Sequence, residues 1–281
     1  ATEYSKGRVF CGGDAVHRHP PSSGLGSNTC VQDGFNLAWK LAYVIKGYAS
    51  TKLLKTYSDE RQPVGKQIVL RANQSRLDYK PLGDCFGFKE GVNTIEQLLQ
   101  RFRNPAPEGA KLRSDLLNAL ELKNYEFNAQ GTELNQRYTS GAVVTEAGEE
   151  EWTVDSQLYL QATTRPGAKL PHAWLIDRSG NKVSTLDVLA EGKFTLITGL
   201  SGTAWKHAVT QLDVPYLDCV VIGDPDSNDI YCAWQRIREV HEAGAVLVRP
   251  DGYVAWRSVG PVWDDGEALE QLQSALSRLL D

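Results

Sequence analysis

Gly13-Asp-Ala-Val-His-Arg-His-Pro-Pro-Ser-Ser-Gly-Leu-Gly-Ser-Asn28 is the stretch that decides how this chain is read. Before it, residues 7–12 (Gly-Arg-Val-Phe-Cys-Gly) read as a short buried strand. After it, Leu37, Ala38, Leu41, Val44 and Ile45 recur at helical spacing, with Gly47 as the stop. The stretch is therefore a loop that joins a strand to a helix. Gly24 and Gly26 put no side chain between the backbone and a ligand. A helix leaves free N–H groups at its start, and its dipole favours negative charge there. Asp14, at the strand end, can accept hydrogen bonds from ligand hydroxyls. Pro20 and Pro21 stiffen the bend. Together these residues suit a polar, partly anionic, planar cofactor. On residue types alone, a glycine-rich turn with no ligand explains them equally well.

Working outward, a second helix is predicted over 51–78, with Leu53, Leu54, Tyr57, Val64, Ile68 and Ala72 on one face and Pro63 placed to kink it. Helices are expected near 94–103 and 111–123, separated by a loop at 104–109. A strand is expected over 137–144. The acidic run Glu146 to Glu151 reads as a solvated linker. Beyond about 165, strands are predicted at 172–176, 194–198, 217–222 and 245–248, with helices at 203–212 and 266–280. Residues 245–256 form a hairpin with Pro-Asp-Gly at its turn. Strands that alternate with helices, then a hairpin and a terminal helix, make a compact α/β unit.

The 281 residues are enough for one large domain or two ordinary ones. Net charge is −5, which disfavours nucleic acid as a partner. The first 80 residues nevertheless carry 12 Lys and Arg against 6 Asp and Glu, which suits an anionic ligand. No run approaches eighteen apolar residues, so an ordinary membrane-spanning helix is not expected. Cys11, Cys30, Cys85, Cys219 and Cys232 are odd in number and include no C-x-x-C. That pattern fits a reducing, cytoplasmic setting better than a disulfide framework or structural zinc. The chain starts at Ala1 and contains no Met, which is expected of a fragment, of a processed half of a longer protein, or of a sequence written without its modified methionines.

Gly13-Asp14-Ala15…His17…Pro20-Pro21…Gly24…Gly26…Asn28…Asp33…Asn36-Leu37…Trp39-Lys40-Leu41 resembles the second flavin motif of the class A FAD-dependent aromatic hydroxylases, the para-hydroxybenzoate hydroxylase-like monooxygenases. The string from Gly13 to Thr29 is most similar to the phenol and 2,4-dichlorophenol hydroxylase branch. Leu54…Tyr57…Glu60-Arg61…Pro63-Val64 continues the likeness. The resemblance implies an α/β chain in three parts. Residues 1–80 would end an FAD-binding domain, 81–150 would form a helical linker region, and 151–281 would form a thioredoxin-like domain without C-x-x-C. It implies FAD and NAD(P)H as cofactors, O₂ and a phenol as substrates, and hydroxylation through a flavin C4a-hydroperoxide. Asp14 would bind the ribityl chain. Gly13, Pro21, Gly24, Leu25, Gly26, Ser27 and Asn28 would line the flavin, with the backbone from Gly24 to Asn28 at its pyrimidine edge. Pro20 and Pro21 would line the junction of flavin and substrate. His17 and Arg18 would support the loop and the cofactor phosphates.

The family's G-x-G-x-x-G fingerprint is absent from this sequence, as are its middle motif and substrate-binding sheet. A C-terminal half, inactive alone and completed by an N-terminal segment or chain, is therefore expected, as a homodimer or heteromer. The competing reading is a catalytically silent thioredoxin-like dimerisation module with a vestigial flavin loop. His17 and His19 form an H-x-H, but no neighbouring carboxylate or thiolate completes a metal site. His207 reads as a surface or core histidine. Ser201-Gly202-Thr203 falls where a thioredoxin carries its thiols, so disulfide exchange is disfavoured. Cys219 and Cys232 are expected in or near a core, and the C-terminal tryptophans in packing.

Overall fold

Two long helices carry the first part of the chain. In the computed structural model, which describes residues 1–92 and 94–281, α1 spans Leu25–Ile45 and α2 spans Lys52–Leu77. A short turn through Gly47 (φ 73°) lets them pack side by side. α2 runs unbroken through Pro63. The expected strand at 7–12 shrinks to a minimal hairpin of β1 (Ser5–Lys6) and β2 (Val9–Phe10). It is not buried: β2 pairs only with β1, and Val9 is 64% exposed.

Short helices follow: α3 (Lys80–Phe86), α4 (Ile95–Arg103), α5 (Pro107–Glu121), α6 (Asn124–Phe127) and α7 (Gln130–Leu134). Thr94 and Gln97 form a reciprocal capping box at the start of α4. α5 begins inside the predicted 104–109 loop, because Pro107 suits a first helical position. Residues 137–144 are not a strand. Their backbone pairs with other segments only at isolated points, among them Tyr138 N to Gly167 O and Val144 N to Ala255 O, while Tyr138 turns its hydroxyl toward α2. The 146–151 run is only partly solvated, since Glu146 pairs with Arg257 and Glu150 with Arg137, each at 2.6 Å.

The C-terminal part has the thioredoxin-like topology expected of it. A side hairpin of β3 (Trp174–Ile176) and β4 (Lys182–Ser184) precedes β5 (Phe194–Gly199), α8 (Thr203–Leu212), β6 (Leu217–Ile222), α9 (Ala233–Ile237), β7 (Ala245–Val248), β8 (Val254–Ser258) and α10 (Asp265–Leu280). The main sheet has the order β6-β5-β7-β8. β5 and β6 are parallel, and the other pairs are antiparallel. Central β5 is buried along its whole length, which explains its near-continuous apolar run.

Alternation along the strands feeds two cores. Ile197, Val246, Val248 and Val254 face Leu175 and Trp234. Phe194, Leu196 and Leu247 face Trp205 of α8 and Leu272 and Leu276 of α10. Trp39, Tyr43 and Leu53 from α1 and α2 enter this second core, with Trp39 edge-on to Phe194 at 5.8 Å. The two parts of the chain thus share one hydrophobic interior. Cys232 departs from expectation: it is exposed, at φ 52° in the turn that opens α9. Trp205 and Trp234 are core residues, but Trp152, Trp174 and Trp263 are exposed. No helix among the described residues is long and apolar enough to cross a membrane.

Leu247 is fully buried at the sheet centre. Leu247→Ala is expected to cost about 2–5 kcal/mol, measured by urea unfolding.

Candidate cofactor site

The bend before α1 is built from two tight 3-10 turns. The first, Gly13–Ala15, starts with Gly13 at φ 61°, where a Cβ would come within 2.9 Å of Cys30 Sγ. Gly13 N donates to Asp33 Oδ2 at 3.0 Å, and His17 Nε2 meets the same oxygen at 2.8 Å. His17 is thus a buried structural residue that ties the loop to α1. His19 Nδ1 donates to the carbonyl of Pro20 at 2.7 Å. The second turn, Ser22–Gly24, puts Ser23 and Gly24 at φ 68° and 62°. No atom lies within 4 Å of where a Cβ on Gly24 would stand.

α1 then begins at Leu25 with no side chain capping it. Its first N–H groups have no partner within the helix. Asp14, Pro21, Gly24, Ser27 and Asn28 are exposed around this bend, and Pro20 and Gly26 are half-buried. Leu25 differs from them: its side chain joins Val64, Ile68 and Tyr253 in a core, leaving its backbone to face a ligand. Asn28 Nδ2 donates to Gly24 O at 3.3 Å, across the bend. A cleft of about 430 Å³ runs beside the first turns of α1, past Asn28, Thr29 and Gln32 to Glu133 and Gln136. Among the described residues the bend is open at Gly24, while the His19 ring stands 3.6 Å from where a Cβ on Gly26 would be.

A buried charge cluster stands behind the bend. Asp33, Asn36, Lys40 and Tyr43 follow helical spacing along the inner stripe of α1. Glu60 of α2 accepts from Lys40 Nζ at 2.7 Å, from Asn36 Nδ2 at 2.7 Å, and from both terminal nitrogens of Arg249 at 2.6 and 2.9 Å. Arg249 also binds Asp251, and Arg61 Nε donates to Asp33 Oδ1 at 2.7 Å. Arg61 continues to Tyr138 Oη and Gln136 Oε1, and Tyr253 Oη donates to that same Gln136 oxygen. Lys40, Arg61 and Arg249 balance Asp33, Glu60 and Asp251.

Burial opposes the charge on Glu60, but Arg249 and Lys40 outweigh it and hold the carboxyl well below the usual range. Burial pushes the Lys40 ammonium down to about 8, against the pull of Glu60. Burial also disfavours charge on Arg249, yet Asp251 and Glu60 raise its pKa well above the ordinary value.

Sequence reasoning found the open bend but missed Arg249 and Asp251, which read as an ordinary hairpin turn. The available signal was on the helices, where charged residues occupy positions in phase with apolar ones. His207 is exposed and paired with Asp265, as a surface histidine would be. Ser201-Gly202-Thr203 leads into α8 as expected, and Ser201 Oγ donates to Glu242 at 2.7 Å. Among the described residues no cluster of His, Cys, Asp or Glu could hold a metal ion.

An uncapped helix start, an open left-handed glycine and an exposed carboxylate at the preceding turn together suit the pyrimidine edge and polyol chain of a flavin. Residues 1–72 match the FAD binding domain family, and residues 163–281 match the family of aromatic-ring hydroxylase C-terminal domains. The chain thus joins a stretch similar to the FAD binding domain to one similar to the aromatic-ring hydroxylase C-terminal domain. It is 48% identical over 277 residues to phenol 2-monooxygenase of Pseudomonas sp. (strain EST1001), covering 96% of this chain and 45% of that protein. It is 44% identical over 287 residues to 2,4-dichlorophenol 6-monooxygenase of Cupriavidus pinatubonensis (strain JMP 134 / LMG 1197), covering 100% and 48%. The crystal structure of the flavin-dependent monooxygenase PieE in complex with FAD and substrate matches with a TM-score of 0.89 and 44% identity, over 99% of this chain and 48% of that one. The chain spans about half the length of the curated relatives it matches.

Glu60 gives a pH test. Its carboxyl binds protons less readily folded than unfolded, so its contribution is present above the ordinary value of 4.5 and is lost as pH falls below it. Glu60→Gln is expected to cost about 3–5 kcal/mol at neutral pH. It should also flatten the fall of stability below pH 4.5, read from denaturant midpoints across pH.

Proposed function

We propose that this chain forms the C-terminal part of an FAD-dependent monooxygenase that hydroxylates a phenolic ring with NAD(P)H and O₂. One observation carries the proposal: the bend from Gly13 to Asn28 is open at an uncapped helix start and is tied from behind by Asp33. The phenolic substrate class rests on the names of the relatives.

Bound FAD, once reduced by NAD(P)H, supplies the oxygen-transfer chemistry. The chain's own residues orient it and exclude water. Asp14 accepts hydrogen bonds from the ribityl hydroxyls. The N–H groups of Gly24 to Asn28 and the α1 dipole face the pyrimidine edge, stabilising negative charge there. Gly13 and Gly24 allow the turns, and Leu25, Gly26 and Ser27 lend backbone to the wall. Pro20 and Pro21 line the boundary between flavin and substrate and shield it from water.

The partner in this proposal is the G-x-G-x-x-G-bearing half, as part of the same protein or as a separate chain, in a dimer or heteromer. Exposed Val31 (71%) and Phe35 (56%), one turn apart on α1, offer it an apolar face. In this arrangement 1–80 completes the FAD-binding domain, 81–150 is a helical connection, and 151–281 is a thioredoxin-like scaffold without C-x-x-C. The setting is the cytoplasm, in keeping with five free cysteines.

The test is to reconstitute the chain with a family N-terminal half. The complex should be yellow and should couple NAD(P)H oxidation to phenol hydroxylation. Asp14→Ala or Asn28→Ala should weaken FAD binding about tenfold or uncouple turnover. Unchanged flavin content and turnover in both variants would refute the proposal and favour a silent interaction module.

A further inference from the structure

Asp33 holds only the first half of the bend. The second half turns through Ser23 at φ 68°, ψ −1° and Gly24 at φ 62°, two successive left-handed residues that swing the chain into α1. Glycine adopts this conformation freely, whereas serine does so under strain. A strained residue persists only where its surroundings hold it.

The holder is on α2. Ser23 Oγ and Ser75 Oγ are hydrogen-bonded at 3.1 Å, across 52 residues of sequence. Among the described residues, this is the side-chain hydrogen bond that reaches 20–24 from outside the loop and α1. Ser75 is fully buried, and both of its polar ends are fixed. Arg71 Nε donates to Ser75 Oγ at 3.2 Å, which leaves the serine proton free to point at Ser23. Lys123 Nζ donates to Ser75 O at 3.2 Å. Arg71 is itself locked by Asp78 at 2.6 Å, and Gln74 donates to the other Asp78 oxygen at 2.8 Å.

We propose that Ser75, oriented by Arg71, is a positioning residue: through Ser23 it fixes the Ser22–Gly24 turn so that the first N–H groups of α1 point at the flavin. This rests on the flavin reading of the same bend. Ser75 touches neither cofactor nor substrate. It sets the angle at which α1 meets them, and small errors of aim at such a site weaken electrostatic stabilisation.

The test is a double-mutant cycle of Ser23→Ala, Ser75→Ala and both together, made in the full chain and in its complex with the N-terminal half. In the chain alone, amide chemical shifts of residues 22–26 should change alike in all three variants, with little change in melting temperature. In the FAD-loaded complex, the FAD dissociation constant should rise about fivefold to tenfold and the flavin midpoint potential should shift. The double variant should do no more than either single one, because all three break the same bond. Wild-type loop shifts and potential in Ser75→Ala, or effects of the two substitutions that add, would overturn the proposal. If the wild-type complex takes up no FAD, the flavin reading fails, and the loop signals alone then decide whether Ser75 holds Ser23.

Discussion

Glu60 buried between Lys40 and Arg249 is the interaction on which the rest depends. All three side chains are cut off from water. Burying a single ion costs several kcal/mol, and mutual attraction offsets this only with good geometry and full hydrogen bonding. Here the geometry is met by convergence. Asn36, Lys40, Ser140 and Arg249 all donate to the Glu60 carboxylate, from α1, the 137–144 segment and the turn between β7 and β8. Removing any one element strands charges on the others. The cluster therefore ties the helical pair to the C-terminal sheet through hydrogen-bonded charges from separate parts of the chain.

That docking gives the thioredoxin-like unit a role that needs no thiols. Its β7–β8 turn presents Arg249, Asp251 and Tyr253 to the helices behind the open bend. A line of hydrogen bonds runs from Tyr253 through Gln136 and Arg61 to Asp33, and so to Gly13 N. The end of the unit where thioredoxins carry cysteines holds Ser201 and Glu242 instead. The unit works here as a brace.

Much of this was legible in the residues. The β5, β6 and β7 runs, α8, α10 and the 245–256 hairpin stand nearly where periodicity put them, because each is buried on a face set by its own pattern. The open bend was legible because glycine, proline and a helix start act locally. The 137–144 segment was misread because Tyr138, Val143 and Val144 are buried by tertiary contacts without a ladder. The charge cluster was hidden for a related reason. Arg249 and Asp251 flank a proline in a turn, which in isolation means solvent, and only the fold brings them to Glu60. Ser23 looked like loop filler until its φ and its partner Ser75 were both visible.

The 189 residues between Glu60 and Arg249 also bear on the order of biogenesis. During synthesis α1 and α2 are made before β7, carrying Lys40 and Glu60 on the stripe that becomes interior. Arg249, the second cation on Glu60, follows only with the turn after β7. Contacts at such separation form late and at an entropic cost. The charge cluster behind the bend is therefore complete only once residues 189 positions apart in sequence have met.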